Sequence, residues 1–346
     1  MFWVGCQSTA SIGESLRERS RLAEMPSQSP MSGHRRELEQ SGEIDGLFYE
    51  VISPRAPSIA AEPGGIPGHA QPLVVALPGF LSDGRQLKRL ARELGRRCLL
   101  VDPLGSGRSH APTDPTEYGW PRQVQRLQRL LAALTSEPVE LLGFSMGGMW
   151  AQHAILAAPH LFASVVLVCS AGRLSPRQRS ILFGLQALWR SGAERIDVWR
   201  VLAPLLFSVE FLDRPSAIAL LEMLASDPRS HSAAAEQGRT IPLLQLDAML
   251  AHDALSGLAR QVASTEVRGG PRCVVIGSEL DILMPPATQR ELAQSLGCPL
   301  HIVKGAGHTV WLEQPTELAT ILRGALLGTL QIESDSSQLT AGHRSG

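Results

Sequence analysis

Short apolar runs, each closed within a residue or two by Gly, Pro, Asp or Ser, recur along most of the chain: Leu73-Val-Val-Ala-Leu77, Cys98-Leu-Leu-Val101, Val139-Glu-Leu-Leu142, Ser164 to Cys169, Cys273-Val-Val-Ile276 and Leu300-His-Ile-Val303. Runs of this length without regular polar alternation predict strands buried on both faces. Between them, apolar residues recur at helical spacing over Arg85 to Leu94, Trp120 to Leu134, Met146 to Ala157, Ala287 to Leu296 and Thr316 to Leu327. Strand and helix therefore alternate, which predicts an α/β fold with a mostly parallel sheet flanked by helices. Gly46 to Ile52 adds a strand by its β-branched and aromatic content, and the Pro- and Gly-rich stretch from Pro54 to Pro72 predicts a loop.

One stretch departs from this rhythm. From Leu174 to Leu258 there is no strand pattern, only helical pieces punctuated by Pro176, Pro204, Pro215, Pro228 and Pro242. So long an excursion between two strands of one sheet predicts a helical insertion lying over the sheet as a cap, because structureless loops of that length are uncommon in compact domains. Residues 1–42 are rich in Ser, Glu, Arg and Gln without a sustained apolar period, and residues 331–346 are polar. Both are expected to be disordered extensions. The expected division is thus a core of residues 43–173 and 259–330, with the cap at 174–258.

Composition narrows the functional classes. The 346 residues are 44% hydrophobic, enough for a large buried core. Lys+Arg number 32 against 33 Asp+Glu, a formal charge of -1, so no global field draws the chain to nucleic acid or to an anionic membrane. Cys6, Cys98, Cys169, Cys273 and Cys298 are scattered without a CxxC pair, which disfavours a disulfide framework or a zinc site and points to a reducing, cytoplasmic setting. Apolar stretches such as Val201 to Phe207 fall short of the roughly 20 residues a spanning helix needs, so no stable membrane insertion is expected. The apolar start, Phe2-Trp-Val-Gly-Cys6, lacks a preceding basic region and is too short for a secretory signal.

The candidate chemistry lies where strands end. Val139 to Leu142 runs into Gly143-Phe-Ser145-Met-Gly147 and then a helix, the strand, G-x-S-x-G, helix pattern that can project a serine hydroxyl from a sharp turn. A serine hydroxyl is a weak nucleophile until a base takes its proton, so a histidine held by a carboxylate is required. Gly277-Ser-Glu279-Leu-Asp281 follows one later strand, offering Asp281 or Glu279 as the acid. Lys304-Gly-Ala-Gly-His308 follows the next, offering His308 as the base. His301, inside an apolar strand, and His153, on the helix after the serine, suit packing roles better. The Asp102-Pro-Leu-Gly105-Ser-Gly107 loop lacks the Lys-Ser/Thr pair and the helix-opening G-x-G-x-x-G that phosphate binding would need.

Together, Leu77-Pro-Gly-Phe80, Asp102-Pro-Leu-Gly-Ser-Gly107-Arg-Ser109, Gly143-Phe-Ser-Met-Gly-Gly148, Gly277-Ser-Glu-Leu-Asp281 and Gly305-Ala-Gly-His308 with Glu313-Gln-Pro315 resemble the α/β-hydrolase family over roughly residues 44 to 328. The resemblance implies Ser145 as nucleophile, His308 as base and Asp281, rather than Glu279, as orienting acid. It also implies the backbone N–H groups of Phe80 and Met146 as the oxyanion hole. The family often carries His before this glycine; Pro78 stands there instead, so support from a histidine side chain is missing. Members that open epoxides or displace halide carry Asp at the elbow, and Ser145 argues against both. The implied activity is hydrolysis of an ester, lactone or thioester of a small to medium, partly apolar acyl substrate, with no cofactor and no metal. Acyl transfer and carbon-carbon hydrolysis on the same triad are the alternatives, and a ligand-binding receptor on the same fold is the alternative of another class. Trp189, Trp199, Phe207, Phe211, Met223 and Met249 are the cap residues that could line an acyl pocket, at least half of them being expected to pack inside the cap.

Overall fold

A computed structural model describes residues 41–54, 71–226, 237–263 and 270–330. The two extensions expected to be disordered, apart from residues 41 and 42, and most of the loop expected between Pro54 and Pro72, lie outside the described residues. Within them, eight strands form one sheet: β1 (Ser41–Ile44), β2 (Leu47–Ile52), β3 (Val74–Leu77), β4 (Cys98–Val101), β5 (Val139–Phe144), β6 (Phe162–Val168), β7 (Arg272–Ser278) and β8 (Leu300–Val303). Their order is β1-β2-β4-β3-β5-β6-β7-β8. All pairs from β4 to β8 are parallel, whereas β1 with β2 and β2 with β4 are antiparallel.

The sequence pattern does not anticipate β1, which starts inside the segment expected to be an extension. Its only large apolar residue is Ile44, and its pairing comes from the adjoining turn. Asp45 and Gly46 take φ of 51° and 79°, the left-handed pair that closes a two-residue hairpin with the twist of the flanking strands.

Alternate residues of each central strand feed opposite faces of the sheet. Val74 and Ala76 pack with Leu87, Leu90 and Leu94 of helix α1 (Gly84–Leu94) on one face. Val75 and Leu77 pack on the other, with Leu127 and Leu130 of α2 (Trp120–Leu134) and Met149 of α3 (Met146–Ala157). Being covered on both sides explains why β3, β4 and β5 are buried throughout and why their sequences do not alternate.

Between β6 and β7 the chain builds helices α4 (Pro176–Arg190), α5 (Arg195–Leu206), α6 (Val209–Leu212), α7 (Pro215–Ser226), α8 (Gln237–Leu250) and α9 (Leu255–Ala263). The prolines divide into two kinds. Pro176 and Pro215 open helices, where the missing N–H costs nothing. Pro204 and Pro242 instead lie within α5 and α8. After β7 follow α10 (Pro286–Leu296), α11 (Val310–Glu313) and α12 (Pro315–Leu327). Helix α9 packs on α10 and α3, and its Leu258 is fully buried. The root of the insertion is a neck in which Ala254 N–H donates to Gly172 O at 2.8 Å and the backbones of Arg173 and Asp253 form an isolated antiparallel β-bridge.

A histidine pair braces this neck. His252 Nε2 lies 2.9 Å from Ala171 O, and since a carbonyl only accepts, that nitrogen carries the proton. His252 Nδ1 is therefore left to accept from His153 Nε2–H at 3.1 Å, while Trp120 stacks on the His153 ring at 5.1 Å. Burial pushes His252 down to about 3 and His153 down to about 4, so both are neutral near pH 7.

Candidate active site

Ser145, Asp281 and His308 follow β5, β7 and β8, and the parallel sheet brings these three strand ends to one edge. Ser145 holds φ 51° and ψ -114°, a strained turn between β5 and α3. Two glycines make that turn sterically feasible. A Cβ on Gly143 would come within 2.7 Å of Gly147 O, and one on Gly147 within 2.0 Å of Leu77 O. The serine backbone is fixed by Ser145 N–H to Val168 O at 2.9 Å and by Ser170 Oγ donating to Ser145 O at 2.9 Å.

The side chains form one chain of hydrogen bonds. Asp281 Oδ2 accepts from His308 Nδ1–H at 2.9 Å, because a carboxylate cannot donate. That tautomer leaves His308 Nε2 as an acceptor, 2.9 Å from Ser145 Oγ. All three residues are buried. Asp281 is held in turn: its Oδ1 accepts from Leu283 N–H at 3.0 Å and Met284 N–H at 2.7 Å, and Gln289 Nε2 reaches Oδ2 at 3.3 Å. Glu279, the other carboxylate on this loop, accepts from Gly305 N–H at 2.9 Å and tethers the loops after β7 and β8.

Phe80 sits in the turn after β3, where a Cβ on Gly79 would approach Ser145 Cβ to 3.2 Å, so this loop lies directly against the serine. Met146 opens α3, and the N–H of a first helical residue has no intrahelical acceptor. Asp102 is part of no reacting group. It ties the loop after β4 by accepting from Gly84 and Arg108 N–H, each at 2.8 Å, and burial raises it to about 6. His301 is half-buried on β8.

Three cap attachments escape sequence reasoning. Gln178, buried in the first turn of α4, donates to Leu283 O at 3.1 Å and so fastens the cap to the Asp281 loop. Glu313 accepts from Gly307 N–H at 3.1 Å, next to His308, and from Ser208 Oγ–H at 2.5 Å and Ser208 N–H at 3.2 Å on the cap. Thr309 N–H donates to Leu206 O at 3.0 Å. Burial raises the Glu313 carboxyl, against the pull of its donors. Glu313 belongs to a motif legible in the sequence, but its partner Ser208 lies in the cap and carries no local signal.

Cap and core line a narrow cleft beside Ser145 and His308. Of the six cap residues named from the sequence, Trp199, Phe207 and Met249 line it. Trp189 packs edge-to-face on Phe80 with ring centroids 5.9 Å apart, Phe211 stacks on Phe207 at 5.0 Å, and Met223 is 57% exposed.

This arrangement has the parts for acyl transfer, and the sequence relationship agrees. The sequence model of the alpha/beta hydrolase family matches residues 74–321. The chain is an alpha/beta hydrolase. It is 25% identical over 276 residues to a monoacylglycerol lipase of Xenopus laevis, covering 75% of this hydrolase and 76% of that protein. A 2-hydroxymuconate semialdehyde hydrolase of Pseudomonas sp. strain CF600 is 27% identical over 247 residues, 71% of this chain and 80% of that one. In structure, the hydrolase superposes on the enol-lactonase of Burkholderia xenovorans LB400 with a TM-score of 0.65 at 18% identity, over 83% of this chain and 99% of the other. The esterase of Exiguobacterium antarcticum gives a TM-score of 0.64 at 18% identity, over 81% and 95%. Among the described residues no helix is long and apolar enough to cross a membrane.

Proposed function

We propose that this hydrolase cleaves a carboxylic ester, lactone or thioester of a small to medium, partly apolar substrate through an acyl-enzyme on Ser145. The observation that carries the reading is the continuous path from Asp281 through His308 to Ser145 with both links at 2.9 Å. His308 Nε2 takes the Ser145 proton as Oγ attacks the carbonyl, and Asp281 stabilises the imidazolium that forms. The developing negative charge on the carbonyl oxygen is met by the N–H groups of Phe80 and Met146, a pair for which loss of one donor costs about 3 kcal/mol of barrier. His308 then delivers the proton to the leaving oxygen or sulfur. Water, deprotonated by the same histidine, releases the acyl group and restores the serine. The apolar cleft wall from the cap supports an apolar acyl chain.

The test is to treat purified protein and the Ser145→Ala variant with a fluorophosphonate, and to assay both on p-nitrophenyl esters of increasing acyl length. Labelling and turnover are expected in the wild type and not in the variant, with rates rising from short to medium chains. A folded wild type that neither labels nor turns over any ester would overturn the proposal.

A further inference from the structure

Apart from Ser145 and His308, the cleft is walled almost entirely by carbon. The cap side presents Leu182, Leu185, Trp199, Leu202, Leu224 and Met249. The polar side chains from the core are few, and they are not equivalent. Thr309 Oγ1 is already spent, donating to Leu206 O at 3.1 Å. Ser82 is 4% exposed, it lines the cleft, and its Oγ, like the Nε1 groups of the lining residues Trp199 and Trp311, has no hydrogen-bond partner among the described residues; unlike those indoles it can both donate and accept. Gln86, four residues on and in the first turn of α1, lines the same cleft.

The backbone explains how these two come to line the cleft. Ser82 N–H closes back on Gly79 O at 3.3 Å, and Leu81 takes φ 57°, a left-handed conformation that a leucine adopts only where its surroundings impose it. This turn folds the chain immediately after Phe80, whose N–H is assigned to the oxyanion. Asp83 then caps α1 by accepting from Arg85 N–H at 2.9 Å, which sets the start of the helix that bears Gln86. Ser82 is thus two residues from the residue assigned as an oxyanion donor, and Gln86 stands in the first turn of the helix that follows.

A buried hydroxyl without a partner is costly to keep unless something supplies the hydrogen bond. Taking the serine-hydrolase reading as given, we infer that Ser82 and Gln86 form a polar subsite for a neutral hydroxyl or amide group carried by the substrate close to its scissile carbonyl. The substrate class is then an ester or lactone with an apolar chain on one side, lying along the cap, and an uncharged hydrogen-bonding group on the other. A hydroxyl and a carboxamide each donate and accept, so they match an alcohol or an amide equally well. Among the described residues, no lysine, arginine, aspartate or glutamate lines the cleft. A phosphate, carboxylate or ammonium in its place would therefore be buried without a counterion, which the site would reject.

The test compares two esters that differ only in the hydroxyls, 1-octanoylglycerol and propyl octanoate, with 1-octanoylglycerol 3-phosphate as the charged comparator. In the wild type kcat/KM should favour the glycerol ester about tenfold, in line with one or two good hydrogen bonds, and the phosphate ester should be the poorest. In Ser82→Ala and Gln86→Met, the preference for glycerol ester over propyl ester should shrink towards unity. Circular dichroism would check that both variants remain folded. A second arm uses the unreactive ethers 1-O-octylglycerol and octyl propyl ether, with binding read from tryptophan fluorescence on wild type and both variants. Equal treatment of the two ethers and of the two esters by the wild type would overturn the subsite. Discrimination that survives in both folded variants would overturn its assignment to Ser82 and Gln86. Ether discrimination that the variants abolish, in a protein that turns over no ester, would keep the subsite and sink only the hydrolase reading.

Discussion

Asp281 shows how much of one residue's role is set by groups outside its own motif. Its Oδ1 is claimed by the N–H groups of Leu283 and Met284, which leaves Oδ2 for His308. In Asp281→Asn those two N–H donors would still require an oxygen, so the amide NH2 would be turned towards His308. The imidazole would then have to accept at Nδ1 and carry its proton on Nε2, where it cannot take one from Ser145. We expect kcat to fall about 10⁴-fold with the fold intact, the scale known for the equivalent tautomer error; steady-state kinetics beside a thermal melt would check this. The serine, the histidine and both carboxylates of this loop were legible in the sequence because each stands in a short motif at the end of an apolar strand. The choice between Asp281 and Glu279 rests on family resemblance; in the structure Asp281 Oδ2 lies 2.9 Å from His308 Nδ1, and Glu279 accepts from Gly305 N–H in the loop after β8. Ser82 had no such signal, since nothing local distinguishes a serine that stays unpartnered from one that finds a bond.

At the level of elements, the cap helices are more than a cover. The first turn of α4 carries a reciprocal cap in which Gln178 Oε1 accepts from Ser175 N–H at 2.7 Å while Ser175 Oγ accepts from Gln178 N–H at 3.4 Å. The same Gln178 reaches Leu283 O with its amide nitrogen. Ser175→Ala should cost about 1 kcal/mol of stability, the usual value for a lost N-cap, measured by urea unfolding. Core elements were readable because both-face burial leaves a local mark: β4 spans the same residues as its apolar run, and α3 the same as its helical pattern. The cap was readable only as helical. Which of its large apolar side chains reach the cleft depends on how α4, α5, α7 and α8 pack, and so Trp199 and Met249 line it while Met223 faces out. In β1 the alternation of exposed and half-buried residues was too weak to register, although Asp45-Gly46 beside it is a hairpin signal in its own right.

For the molecule as a whole, the histidine pair at the neck ties stability to pH. Both residues titrate lower when folded, about 3 for His252 and about 4 for His153, than the ordinary 6.5. Between those limits these two residues bind more protons in the unfolded chain than in the native one, so their contribution to stability is greatest above about 6.5 and falls as the pH drops towards 4. His252→Asn should flatten the acid side of the Tm-against-pH profile, whatever it does to the Tm at neutral pH. A profile as steep in the variant as in the wild type would assign the acid sensitivity elsewhere.

The same neck has an evolutionary reading. The chain leaves the core after Gly172 and returns at Ala254, and a 2.8 Å hydrogen bond joins these two residues. Because the ends already touch, the cost of spanning them hardly changes with what lies between, growing only with the logarithm of its length. Lineages could trade this segment wholesale, shortening or replacing it, without disturbing the strands that aim the reacting groups. Chemistry would be inherited with the sheet, while taste for substrate would be rewritten in an interchangeable piece.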